Sequence, residues 1–206
     1  MSDAAAEIEF IKGESTRYRS LLHRPDGVTV EFDGGSYNKL PERVPHDIAH
    51  LIVEDELRLT CGVWGVLVAG GLFPQAHAVE GRRPPHASER ARTVTRAAGD
   101  RLTQAEILTG AVCHVVREGL HPRGDAMRRA IGERWWTDAL TPEALECCRA
   151  RLRAAAKAWA ALPAGGTFGG RWDHAVDPAL AVGSRGANTR GPRSRRAARS
   201  GPAAAR

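Results

Sequence analysis

The hydrophobic pattern of this 206-residue chain changes period once, near Pro45, and that change decides what the chain can fold into. Before it, Val28, Val30 and Phe32 alternate with Thr29 and Glu31, a period of two that gives a strand one buried face. Ile8 to Lys12 and Thr16 to Leu22 have the same strand character, and Pro25-Asp26-Gly27 between strands is a turn signal. An N-terminal antiparallel hairpin or meander is expected. After Pro45 the apolar residues recur at helical spacing, which places helices at roughly 45–58, 62–72, 86–98, 103–119, 124–138 and 142–161.

Two helix starts carry explicit signals. Thr103-Gln104-Ala105-Glu106 reads as a capping box, and Thr141-Pro142-Glu143 reads as a cap followed by proline and a first-turn acid. Leu162-Pro163-Ala164-Gly165-Gly166 ends the last helix, so Thr167 to Trp172 can return as a short strand beside the hairpin. The expected fold is therefore α+β, a small N-terminal antiparallel sheet, joined by that C-terminal strand, under about six helices.

Charge divides the chain at about residue 178. The 30 basic and 24 acidic residues give a net charge of +6, but seven arginines, Arg185, Arg190, Arg193, Arg195, Arg196, Arg199 and Arg206, follow the last acid, Asp177. Removing them leaves 23 basic against 24 acidic residues, so 1–177 is nearly neutral and carries no basic nucleic-acid-binding face by composition. Residues 178–206, rich in Gly, Ala, Ser, Pro and Arg, cannot bury enough apolar area to offset the entropy of ordering them, and are expected to be a disordered tail. Nonspecific contact of these arginines with phosphate backbones is the one nucleic-acid reading the composition offers, and no aromatic residue is present there for base stacking.

The start, Met1 to Glu7, lacks the basic-then-apolar order of a secretory signal, and the apolar run Cys61 to Phe73 is interrupted by glycines and too short for a spanning helix. Cys61, Cys113, Cys147 and Cys148 show no C-x-x-C spacing. Reduced thiols in a cytoplasmic protein without membrane insertion are expected. There is no phosphate-binding G-x-x-x-x-G-K-[ST], no G-x-G-x-x-G after a strand and no G-x-S-x-G, so the commonest nucleotide and hydrolase motifs are missing.

The chemistry-bearing cluster lies on the first helix, in Pro45-His46-Asp47-Ile48-Ala49-His50-Leu51-Ile52-Val53-Glu54. Taking His46 as zero, His50, Glu54 and Asp47 fall at about 40°, 80° and 100° around the axis, on one stripe bordered by apolar residues. His46 and His50 can grip one divalent metal ion such as zinc, with a third ligand from Glu118, His114, His86, His77 or His121. His46 and Glu54 lie two turns apart, about 12 Å, so a single ion cannot take both, and His50 with Glu54 is the alternative chelate. Asp47 or Glu54 would then handle a proton while the ion activates water.

The His46-Asp47-Ile48-Ala49-His50 core resembles the H-D-x-x-H-x(11)-E motif of a ubiquinone-biosynthesis family, a resemblance that implies a metal site on the histidines, the aspartate and a distant glutamate. The glutamate's place falls here on Gly62, so that ligand is missing. From the hairpin through Pro45-His46-Asp47 and Val63-Trp64-Gly65 to Trp159-Ala160-Ala161-Leu162-Pro163-Ala164-Gly165-Gly166-Thr167, the chain is similar to an actinobacterial protein family, a resemblance that brings no activity.

Two functions from different classes follow. The reading favoured for the whole chain is a non-catalytic intracellular binding or interaction domain, its partner a protein or small molecule, whose stripe is closed by protein donors. The alternative is a metal-dependent hydrolase with His46 and His50 as ligands, which requires a third ligand at the same point. Gly62, Gly65 and Ala69 make a smooth helix face for close packing, and Trp135, Trp136 and Trp159 read as core anchors at helical positions.

Overall fold

The computed structural model describes residues 5–36, 43–82 and 85–181. All seven arginines of the tail, together with residues 1–4, lie outside the described residues. Strands β1 (Ala6–Lys12), β2 (Arg17–His23), β3 (Thr29–Ser36), β4 (Ala76–Glu80) and β5 (Thr167–Trp172) form one antiparallel sheet in the order β4-β3-β2-β1-β5. Among the described residues six helices accompany it, α1 (His46–Glu56), α2 (Val63–Val68), α3 (Ala87–Ala98), α4 (Asp100–Arg117), α5 (Gly124–Ile131) and α6 (Pro142–Ala161). The architecture is the α+β arrangement expected, and the C-terminal strand does return beside β1, pairing Ala6 with Trp172 and Phe10 with Phe168.

The sheet has one core face. Ala6, Ile8, Phe10, Tyr18, Ser20, Leu22, Val30 and Phe32 are all buried, alternating with exposed or half-buried neighbours as a period of two demands. Helix α1 packs directly on this face and eight of its eleven residues are buried. The approach is close enough to require glycine in β5, since a Cβ at Gly170 would sit 2.4 Å from Leu51 Cδ2. Helices α4 and α6 then pack against α1, with Leu108, Val112, Leu152 and Trp159 completing the main core. Lys12 at the end of β1 ties sheet to helix by donating to the carbonyls of Trp159 (2.9 Å) and Leu162 (2.7 Å) at the C-terminus of α6.

Several expectations are corrected. Thr103 does not start a helix: α4 begins at Asp100 after Gly99, whose φ of +52° suits glycine, and no side chain caps it. Thr141 does cap α6, its hydroxyl accepting the Ala144 N–H at 3.2 Å. Helix α2 is shorter than 62–72, ending at Val68 before Gly70, which has a φ of +96°. Helix α5 stops at Ile131 because Gly132 takes a φ of +89°, so Trp135 and Trp136 sit in the following turn, half-buried against the core and covered by the guanidinium groups of Arg134 and Arg128. Strand β4 has no counterpart in the sequence reading. Its five residues are too few to show a period, and it exists because β3 offers an edge.

A smaller cluster of Cys61, Val66, Val94, Ala98 and Leu180 joins α2 and α3 to the end of the described chain. Asp177 fixes that end, accepting the Thr60 hydroxyl at 2.8 Å and lying 3.6 Å from Arg101, so the described fold continues past 177 to Leu180, which is fully buried. Among the described residues no helix is long and apolar enough to cross a membrane.

Candidate metal centre

Because α1 lies with one flank on the sheet and another against α4, its polar stripe is split between two environments. Asp47 turns to the sheet, where its carboxylate accepts from the Ser20 hydroxyl at 3.3 Å. The Asp47 backbone N–H donates to the Tyr18 hydroxyl at 3.3 Å. Burial pushes the Asp47 carboxyl up to about 6, against the lowering effect of the Tyr18 and Ser20 hydrogen bonds and of His50. The Tyr18 phenol is pushed upward as well, first by burial and then by the Asp47 charge.

Glu54 and His50 turn to the interior between α1, α2 and α4. Glu54 is fully buried, and its Oε1 accepts from His50 Nδ1 and from the Val63 N–H, both at 2.8 Å. Its Oε2 accepts the Trp64 N–H at 3.0 Å. Glu54 therefore supplies, from a neighbouring helix, the cap that Gly62 has no side chain to provide for α2. Gly62 itself makes room, since a Cβ there would lie 2.3 Å from the Glu54 carboxyl carbon. The small-residue face expected at Gly62 does meet the histidine helix, while Gly65 closes against the Thr60 carbonyl.

The other imidazole nitrogen of His50 faces outward. His50 Nε2 lies 3.2 Å from Glu106 Oε2, and His46 Nε2 lies 3.7 Å from the same oxygen. One ligand atom from each of His46, His50 and Glu106 falls within 4.8 Å of the other two. An ion about 2.0–2.2 Å from each of three ligands needs them roughly 3.3 Å apart, so small side-chain adjustments would complete a His-His-Glu site. His50 is enclosed, but His46 and Glu106 have side chains 65% and 50% exposed, leaving one side to solvent.

The two histidines differ in what stands behind them. Behind His50, Glu54 holds Nδ1; behind His46, the Asp47 carboxylate lies 4.0 Å from Nδ1, beyond hydrogen-bond length. Burial disfavours charge on His50, but acceptance by Glu106 and Glu54 outweighs it and holds its pKa up at about 10. His46 is lowered, first by burial and then by the neighbouring His50 charge. Glu106 is lowered chiefly by its hydrogen bond from His50.

None of the third ligands expected from sequence reaches this point. Glu118 pairs with Arg117, His114 Nδ1 accepts from the Arg117 guanidinium at 3.0 Å, and His121 lies 3.5 Å from Glu146. His86 precedes α3 beside Glu89, and His77 lies exposed on β4 between the core-facing Ala76 and Ala78. Glu106 is the residue the sequence reading missed. Treating T-Q-A-E as a capping box commits Glu106 to a backbone N–H, whereas the earlier start of α4 puts it inside the helix with its carboxylate free to face α1. No protein-family profile, curated protein or solved structure matches the chain.

Proposed function

We propose that the protein binds one divalent transition-metal ion at His46, His50 and Glu106. The observation that supports this most is the orientation of His50: a buried carboxylate holds its Nδ1 while its Nε2 points at a second carboxylate shared with another histidine. This is how metal-ligating histidines are commonly fixed. Two imidazoles and one carboxylate suit zinc, and they also suit iron, cobalt, nickel or manganese. Three protein ligands with one side open to solvent fit a catalytic site better than a closed structural one, and the chemistry such an ion supplies is activation of water for hydrolysis. In this reading Glu54 and Asp47 are positioning residues. Both oxygens of Glu54 are already engaged, and Asp47 faces Ser20 and Tyr18 rather than the solvent side.

A second reading, the non-catalytic binding domain, is supported by the same histidine. With Nδ1 and Nε2 both donating to carboxylates, His50 is satisfied without an ion, and the cluster serves as an ion-pair network joining α1 to α4. The four free cysteines support a reducing, cytoplasmic setting for either reading.

The separating experiment is elemental mass spectrometry on protein purified without a histidine tag, beside a folded His46→Ala/His50→Ala double variant and Glu106→Gln. Near one zinc, iron, cobalt, nickel or manganese per chain, lost in the double variant and reduced in Glu106→Gln, supports the metal site and justifies a substrate screen. A metal-free wild type whose melting temperature is unchanged after equilibration with these ions overturns it in favour of the network.

A further inference from the structure

The two edges of the sheet are treated differently. Strand β4 is five residues long, and a register shift against β3 between Thr29 and Val30 breaks its ladder. Strand β5, at the other end of the order, pairs with β1 in one unbroken register and has no proline or lysine along it. A short strand, a bulge, proline and lysine are the usual guards of an exposed edge, and β5 lacks the last three. Its one charge, Arg171, is matched within the chain by Asp173 at 2.6 Å.

The ladder fixes which backbone groups of β5 are free. Lys12 N–H donates to the Gly166 carbonyl at 3.0 Å, and along an antiparallel strand both backbone groups of a residue point to one side, the side alternating from residue to residue. Phe168, Gly170 and Trp172 therefore turn theirs to β1. Thr167, Gly169 and Arg171, all exposed, turn theirs outward, where no described residue meets them.

These outward residues are symmetric about Gly169. An antiparallel copy of the strand, related by a twofold axis there, sets Gly169 opposite Gly169 and Thr167 opposite Arg171, so each outward N–H meets an outward carbonyl. The two arginines fall at opposite ends of the pairing, each facing a threonine, so no like charges are opposed. On the core face the same register sets Phe168 beside Gly170 of the second copy. Phe168 is half-buried, its ring 6.2 Å from that of Phe10, and the added strand would enclose it. Gly169 also gains a reason: unlike Gly170, it has nothing in its own chain within 4 Å of an added Cβ, and glycine inside a strand often marks the approach of another backbone.

We infer that the protein forms a twofold dimer through β5, antiparallel about Gly169, which joins two five-stranded sheets into one. The partner is a second copy because the free backbone groups, the separation of the arginines and the placing of Phe168 against Gly170 all close on one axis. Strand β5 holds none of His46, His50 and Glu106, so the dimer stands whether or not that site takes an ion.

The test is sedimentation equilibrium of the full chain at about 5 and 100 µM, with amide exchange followed by NMR at both concentrations. At the higher concentration the mass should approach twice the 22.2 kDa of one chain. Gly169→Pro and Thr167→Pro each remove an outward N–H that no described residue accepts, so circular dichroism should be unchanged while the dissociation constant of the dimer rises about tenfold or more. Thr167 is the first residue of β5, where proline is tolerated, so its variant keeps the test should Gly169→Pro not fold. The Gly169 and Arg171 amides should exchange more slowly at the higher concentration, and those of Phe168 and Gly170 should not change. A monomer at about 100 µM, a dimer left intact by the folded proline variants, or concentration-dependent protection on β4 in place of β5 would each overturn the assignment.

Discussion

His50 and Glu54 are joined across one turn of α1 by a 2.8 Å hydrogen bond in which neither group reaches solvent, their side chains being 1% and 0% exposed. The same Glu54 oxygen holds the first N–H of α2, so the orientation of an imidazole and the start of a neighbouring helix rest on one carboxylate.

Glu54→Gln tests that dependence. The amide keeps one acceptor oxygen but turns an NH₂ group either onto the His50 and Val63 donors at Oε1 or onto the Trp64 donor at Oε2. We expect a loss of roughly 3 kcal/mol by urea unfolding of the metal-free protein. Metal titration of the folded variant should show affinity lowered by about 10–100-fold, the usual effect of removing the group behind a ligating histidine. Unchanged affinity would leave Glu54 a purely structural cap.

Gly62→Ala reaches the same carboxylate from the other side. The Gly62 backbone, at φ −76°, suits any residue, so the effect comes from the added methyl 2.3 Å from Glu54 Cδ. A cost of about 1–3 kcal/mol is expected, measured as a lowered urea midpoint. Gly35→Ala, with nothing within 4 Å of its Cβ, serves as control and should change stability by less than about 0.5 kcal/mol.

Above pH 6.5 the stability of the metal-free protein should fall as pH rises. His50, with an ordinary value of 6.5 raised to about 10, contributes stability that is fully present below pH 6.5 and is lost as pH climbs towards 10. Asp47, raised from 3.8 to about 6, acts in the same direction at lower pH, between about 4 and 6. Urea unfolding in chelator at pH 7 and pH 9.5 measures the first effect. His50→Gln should flatten the pH dependence over that interval, and an equal slope in the variant would refute the assignment to His50.

Two threonines that look alike in sequence should behave differently. Thr141→Ala removes the hydroxyl that accepts the Ala144 N–H and should cost about 1 kcal/mol. Thr103 lies exposed inside α4, so Thr103→Ala should be neutral or stabilise by a few tenths of a kcal/mol through helix propensity. Thermal unfolding of the pair reads both.

What the sequence revealed follows the range of the interactions involved. The alternation in β3, the turn at Pro25-Asp26-Gly27, the histidine spacing in α1 and the Thr141 cap are local, and each appears in the structure. Strand β5 was legible because Leu162 to Gly166 ends a helix and leaves the chain free to return to β1. Strand β4 and the true start of α4 depend on partners distant in sequence, β3 for one and the packing of Ala105 and Leu108 for the other. Glu106 was hidden for that reason: fifty-six positions separate it from His50, and only the crossing of α4 over α1 brings the two together.

The burial of α1 on both flanks has a consequence for how the site can move. Since the eight residues from Asp47 to Glu54 are all enclosed, His50 has no local route away from its partners. The amides of this stretch should exchange with deuterium only through opening of the whole core, at the slowest rate in the molecule. His46, at the rim, keeps the freedom His50 lacks, so the cluster joins one fixed arm to one that can swing.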